Sequence, residues 1–137
     1  MYKHILIPLD NSKTDEVILK HIRPLAKLTN AKITFVHVAD GFMARNQKDL
    51  GESEEMREDY KYLKMREQEF QKEGFDVKAI LLYGEPAKQI LALSEKEYCD
   101  LIAMATHGHR YLSDIILGSV ASELRHNTRL PVLQIMA

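Results

Sequence analysis

Tyr2-Lys3-His4-Ile5-Leu6-Ile7-Pro8-Leu9-Asp10-Asn11-Ser12 is the stretch whose reading settles the fold class. Residues 2–8 hold a continuous apolar core, and turn-forming polar side chains follow at once at Asp10, Asn11 and Ser12. A short apolar run without alternation reads as a strand buried on both faces. Such strands are covered above and below by helices, which means a mostly parallel sheet in an α/β fold. The apolar stretch is short and Asp10 comes too soon for a signal peptide. No run in the chain approaches the ~18 apolar residues of a membrane span.

Strand and helix patterns alternate outward from there. Residues 13–29 carry Val17, Ile18, Ile22, Leu25 and Leu28 at helical spacing, with a kink or break expected at Pro24. Residues 31–39 are rich in β-branched side chains and read as the second strand. Residues 40–51 read as a loop. A charged helix is expected over 52–73, with Met56, Tyr60, Leu63 and Phe70 inward, Glu67 interrupting the stripe, and Gly74 at its C′ position. Strands are expected at 75–83, 100–105 and 131–136. A helix over 86–98 opens on Pro86 and carries Ile90, Leu91 and Leu93, and another occupies much of 113–127. The chain contains no internal repeat or linker, and its 137 residues fit one domain, 1–137.

Composition narrows the function. Nineteen Lys+Arg against twenty Asp+Glu leave a net charge of −1, which removes the electrostatic case for a dedicated nucleic-acid binder. A single cysteine, Cys99, excludes a disulfide framework and any CxxC motif, and a cytoplasmic protein is the expectation. Its place between an apolar helix and a strand suggests inert burial. The P-loop, the GxGxxG fingerprint, HExxH and GxSxG are all absent.

In an open parallel sheet, ligands bind beyond the carboxyl ends of the strands, where the strand order reverses. With the first strand central, that crevice lies between Leu9-Asp10-Asn11-Ser12 and Thr106-His107-Gly108-His109. Gly108 lets a backbone approach a phosphate, Ser119 offers a hydroxyl to a phosphate or Mg²⁺, and a helix starting near Gly118 would point free N–H groups at an anion. The plainer alternative makes Gly108 a turn residue and Gly118-Ser119 a helix cap. Asp10 is read either as a crevice residue or as a cap or turn residue with Asn11 and Ser12. His37, mid-strand, reads as a hydrogen-bonded core histidine. His107 and His109 lack partners at metal-ligand spacing, so with Arg110 they offset phosphate charge or face solvent.

The segments ILIPLD, VHVAD, GEPAKQI and ATHGHRYLSDIILGSVASELRHNTRLPVLQI together resemble the universal stress protein family across essentially the whole chain. The family's ATP-binding members carry glycine, two residues, glycine, nine residues, glycine, then Ser or Thr. This sequence matches at Gly108, Gly118 and Ser119 and departs at Ala105. The resemblance implies a five-stranded parallel sheet of order 3-2-1-4-5 with helices on both faces, Rossmann-like and of the adenine nucleotide alpha hydrolase type. It also implies homodimers and, in some members, nucleotide binding. Carried over by position, ATP would lie against Pro8, Leu9 and Asp10, with the backbone at Val38 reading the adenine edge. Ala105, Thr106, His107, Gly108, His109, Arg110, Gly118, Ser119 and Val120 would line the phosphates, with Asp10 and Ser119 on Mg²⁺. Alanine at 105 predicts weakened rather than abolished binding.

Three functions compete. The first is an ATP-binding, nucleotide-responsive stress regulator with at most slow hydrolysis. The second is an interaction module with an empty crevice, contacting a partner through the acidic residues Asp49, Glu52, Glu54, Glu55, Glu58 and Asp59, which otherwise read as a solvated face. The third is a slow ATPase or autophosphorylating protein with Ser119 as phosphoacceptor. Tyr60 and Tyr62 point different ways on their helix, so no aromatic platform is implied. Val132-Leu133-Gln134-Ile135-Met136 lacks the devices that discourage edge pairing, so this edge either pairs with a second copy or is covered by the chain's own helices; the resemblance implies the first, a homodimer through 131–136.

Overall fold

The computed structural model describes residues 1–40, 50–106 and 115–137. Within them the order is β1 (His4–Pro8), α1 (Thr14–Thr29), β2 (Lys32–Asp40), α2 (Leu50–Lys72), β3 (Val77–Gly84), α3 (Pro86–Lys96), β4 (Leu101–Thr106), α4 (Ile115–Asn127) and β5 (Val132–Met136). All pairings are parallel and the strand order is β3-β2-β1-β4-β5, as the resemblance implies. β1 is therefore central. Its side chains alternate between two cores: Ile5 and Ile7 pack with residues of α1 and α2, and Leu6 with residues of α3 and α4. Ile5, Leu6 and Ile7 are all fully buried, which is why the strand reads as an unbroken apolar run.

The α1–α2 core is centred on Phe35 and Phe70, whose rings meet edge to face at 5.0 Å. The Arg23 guanidinium lies 4.3 Å over the Phe70 ring and pairs with Glu69 and Glu73. Aromatic faces attract such cations, so the charge seals the apolar edge.

Several helical expectations shift. α1 is unbroken through Pro24. Pro24 and Lys20, whose carbonyl loses its donor, both lie on the exposed side, where water serves instead. Leu28 is exposed, because the buried stripe of α1 runs through Asp15, Ile18, Leu19, Ile22 and Ala26. In α2, Leu63 and Phe70 are buried as expected, but Tyr60 is exposed. Asp59 and Tyr62 are half-buried instead and Arg66 is buried, so the inner face is rotated towards polar side chains. Glu67, which interrupts the apolar stripe, accepts the Ala79 N–H of β3 at 2.6 Å.

Helix ends follow the local chemistry. Past α2, Gly74 (φ +93°) lets Phe75 N–H reach the Phe70 carbonyl at 3.1 Å and Gly74 N–H reach Gln71 at 3.0 Å. This is the Schellman closure expected of a C′ glycine. Past α3 the same closure falls on Tyr98, at φ +54° and almost wholly exposed, with Cys99 N–H bonded to Ser94. A left-handed conformation costs an L-residue roughly 1–2 kcal/mol, partly offset by the entropy glycine loses on folding. Tyr98→Gly should therefore stabilise the fold by about 0.5–1 kcal/mol, read as a thermal midpoint ~2–6 °C higher. An unchanged or lowered midpoint would show that the tyrosine side chain is engaged.

Candidate functional site

Register places the site. β1 pairs with β2 from His4↔Lys32 to Pro8↔Val36, and Leu9 N–H continues the ladder to the Val36 carbonyl at 2.8 Å. Two residues on, Asp10 is level with Val38. β1 also pairs with β4 at Leu6↔Ile102, so four residues on Asp10 is level with Thr106. Carried past the last paired residues, these registers bring the turn at Asp10 towards Val38 of β2 and Thr106 at the end of β4. The sheet order reverses between β1 and β4, where such folds bind ligands.

The turn after β1 is held by short polar contacts. Asn11 takes a left-handed φ of 60°, which asparagine tolerates. The Ser12 hydroxyl donates to Asp10 Oδ1 at 2.5 Å and also contacts the Thr14 hydroxyl. The N-cap position of α1 is Lys13, so Asp10 is a turn residue and not a helix cap.

Asp15, in the first turn of α1, is only 3% exposed. Its Oδ1 accepts the Asp10 N–H at 3.2 Å, and its Oδ2 accepts the Asn11 N–H at 3.0 Å and the Tyr62 hydroxyl at 2.5 Å. Burial, ahead of all other causes and with the Asp10 charge adding to it, pushes its pKa up to about 6. Burial and then the Asp15 carboxylate hold the Tyr62 hydroxyl above its usual range. Arg66 donates from Nε to the Tyr62 oxygen at 3.2 Å and pairs with Glu69 and Glu16. Burial opposes its charge, but Glu16 and Tyr62 outweigh that and raise its pKa further.

His37 is a hydrogen-bonded core histidine, as expected. Its Nδ1–H donates to the Leu9 carbonyl at 2.8 Å, and Nε2 faces Asp59 at 3.2 Å. The Asn11 side-chain amide donates to the other Asp59 oxygen at 3.3 Å. Asp59 therefore belongs to this network and not to a solvated acidic face, whereas Glu54, Glu55 and Glu58 are exposed.

The remaining sequence candidates divide. Pro8 and Leu9 are buried at the end of β1, and Val38 is half-buried. Ala105 lies in β4 beside Ile135 with its methyl buried in the α1–α2 core. Its backbone is in an ordinary strand conformation, so no glycine is required there. Thr106 is half-buried and its carbonyl accepts the Ala137 N–H. α4 begins at Ile115 among the described residues, not near Gly118. Gly118 closes its first turn, Ser119 is exposed next to it, and Val120 is buried. His107, Gly108, His109, Arg110, Asp49 and the Glu52 side chain lie outside what is described. No group of three or more His, Cys, Asp or Glu converges as a metal cage among the described residues. Cys99 is buried, and burial pushes its thiol up to about 11, the inert state expected.

Sequence reading missed Asp15, Tyr62 and Arg66. The available signal was the spacing of Asp59, Tyr62 and Arg66, which puts three polar side chains on one helical face.

The family model for the universal stress protein family matches residues 1–135. Universal stress protein MJ0577 of Methanocaldococcus jannaschii is 32% identical over 97% of this chain and 94% of its own length. The solved structure of MJ0577 superposes with a TM-score of 0.78, covering 100% of this chain and 97% of that one. MJ0531 of the same organism is 34% identical over 97% of this chain and 81% of its own. The universal stress protein from Archaeoglobus fulgidus in complex with dAMP shares the fold at a TM-score of 0.74, with 23% identity over 98% of both chains.

The Asp15 titration has a sign that stability measurements can read. Its folded pKa is about 6 against an ordinary 3.8, so the folded state holds the proton more tightly. The stability this contributes is full below pH ~4 and is lost as pH rises through ~6. In the absence of metal, the stability of the native chain relative to Asp15→Asn should fall by about 2–3 kcal/mol between pH 4 and 7. Urea midpoints of the two proteins at both pH values check this, and a pH-independent difference would refute it.

Proposed function

Because the chain belongs to the universal stress protein family, we propose that it binds ATP with Mg²⁺ at the carboxyl ends of β1, β2 and β4 and serves as a nucleotide-responsive regulator in the stress response. What supports this reading is the place of Asp10 in the turn just past the central strand, beside the strand-order reversal between β1 and β4. That a neighbour of the same fold is solved with dAMP says the fold accommodates an adenine nucleotide. This chain's own residues supply the rest of the support.

Those residues fit the group. The departure from the family pattern at Ala105 is harmless in this geometry, because its methyl is turned into the core and its backbone is strand. Binding need not be weakened there. Pro8 and Leu9 form the floor, and the Val38 backbone reads the adenine edge. By the family pattern, Thr106, His107, Gly108, His109, Arg110, Gly118 and Ser119 would line the phosphates, with Val120 close behind. Asp10 and Ser119 would offer two oxygens to Mg²⁺, which usually keeps several waters and takes phosphate oxygens for the rest. The ion would neutralise polyphosphate charge. We infer at most slow hydrolysis, with Asp10 the carboxylate nominated to hold metal or orient water; Ser119 as phosphoacceptor is the weakest reading.

We place the protein in the cytoplasm as one domain, and as a homodimer through 131–136. Among the described residues no helix is long and apolar enough to cross a membrane. β5 ends the sheet, its residues 132–135 are only half-buried, and Met136 is 71% exposed. A two-fold copy pairing there would cover the strand. The competing interaction-module reading rests on the exposed acids Glu54, Glu55 and Glu58 of α2.

Mg-ATP at ~100 times its dissociation constant should stabilise the fold by roughly 2.7 kcal/mol. Gly118→Val should abolish the thermal shift and Glu54→Lys should keep it. A melting point unmoved by millimolar ATP would favour the interaction module. In sedimentation, the native chain should run as a dimer and Gln134→Lys/Met136→Lys mostly as a monomer; a monomeric native chain at tens of micromolar would end the edge-pairing reading.

A further inference from the structure

We propose that α2 is the positioning and output element of the Asp10 turn, so that ligand occupancy of the turn and the seating of α2 control one another. Two independent arms connect them. In the first, Tyr62 donates to Asp15, and the same carboxylate accepts the backbone N–H groups of Asp10 and Asn11. Arg66 Nε–H points at the Tyr62 oxygen, so the single hydroxyl hydrogen is directed to Asp15. In the second, Asp59 accepts the Asn11 side-chain amide and faces His37, whose other ring nitrogen holds the Leu9 carbonyl.

Leu9, Asp10 and Asn11 are consecutive, and each is tied to α2 through no more than one intermediate side chain. Asn11 is held in a left-handed conformation within this span. The intermediates are themselves enclosed: Asp15 is buried, and the His37 and Asp59 side chains are 17% and 15% exposed. Polar groups at such depth do not exchange partners at little cost, so a displaced turn must displace the helix. The exposed acids Glu54, Glu55 and Glu58 lie about one turn before this face of α2, Glu55 four residues before Asp59 and Glu58 four before Tyr62. By reciprocity, a ligand that holds the turn also holds α2, and a shift of α2 shifts the turn.

The half of this inference that concerns a nucleotide rests on the function proposed above, and the half that concerns the turn does not. Tyr62→Phe keeps the ring and removes the hydroxyl; Asp59→Asn weakens the second arm. In ligand-free protein, amide hydrogen exchange at Asp10 and Asn11 should quicken at least fivefold in both variants relative to the Ile5–Ile7 core amides of the same sample, which corrects for general destabilisation. ATP affinity should fall about five- to tenfold, while Lys61→Ala on the outer face changes neither. In native protein, Mg-ATP should slow exchange across 59–66. Should Tyr62→Phe fail to fold, Asp59→Asn reads the same amides. Exchange at 10 and 11 that matches the native chain in the folded variants overturns the proposal. Faster exchange in the variants, with the native chain silent to ATP, supports the brace and removes the nucleotide reading.

Discussion

A carboxylate almost cut off from water holds the first turn of this protein in shape. Asp15 lies inside α1, yet its two oxygens are spent on backbone N–H groups of Asp10 and Asn11 and on the Tyr62 hydroxyl. Three donors on one carboxylate stabilise its charge, but the loss of water costs more, which is why its pKa moves up rather than down. The turn accepts that cost because its own N–H groups have left the sheet and need acceptors at depth. Asp15 is therefore a structural ligand of the backbone. The path of the backbone through Asp10 and Asn11 depends on it.

The central strand explains where the crevice is. Ile5 and Ile7 serve one core and Leu6 the other, so β1 has no face left for a ligand along its length. Only its end is available. There β2 and β4 flank it, on the two sides of the strand-order reversal. Ala105 follows the same alternation, its methyl buried in the α1–α2 core.

Strand identity was legible because burial on both faces leaves an unambiguous run of apolar residues, and the topology followed from the resemblance. Helix faces were less legible, for a definite reason. Hydropathy assigns Tyr60 inward and Asp59, Tyr62 and Arg66 outward or neutral, but the partners of the latter three sit on α1, on β2 and in the turn after β1. Contacts between residues nearly fifty positions apart leave no periodic trace in the helix itself. Pro24 shows the converse: a local rule predicts a break, and tertiary packing of Ile22 and Ala26 on the sheet keeps the helix whole. At the candidate site, Asp10 and Val38 could be placed by strand register, whereas the Asp15 network needed the fold.

Both ends of β1 are clasped by an aspartate from outside the strand, and the difference between the clasps bears on which end responds to a ligand. At the amino end, Asp100 accepts the N–H groups of Lys3 and His4 at 2.8 and 3.0 Å. Around it His4 bonds the Glu97 carbonyl and the buried Thr34 hydroxyl, and Lys78 pairs with Glu97, holding that carboxyl below its usual range. A cavity of about 180 Å³ opens there, lined by Lys32, Lys78, Asp76 and Glu97 among others, so opposite charges already face each other across it. Asp100 itself precedes β4 and is fixed to the sheet, its N–H bonded to the His4 carbonyl. Asp15 at the other end is tied instead to a side chain of α2, a helix that packs on β2 and β3. A clasp within the sheet keeps a strand in register; a clasp shared with a separate helix carries a displacement to that helix. The carboxyl end is thus the one built to transmit a change.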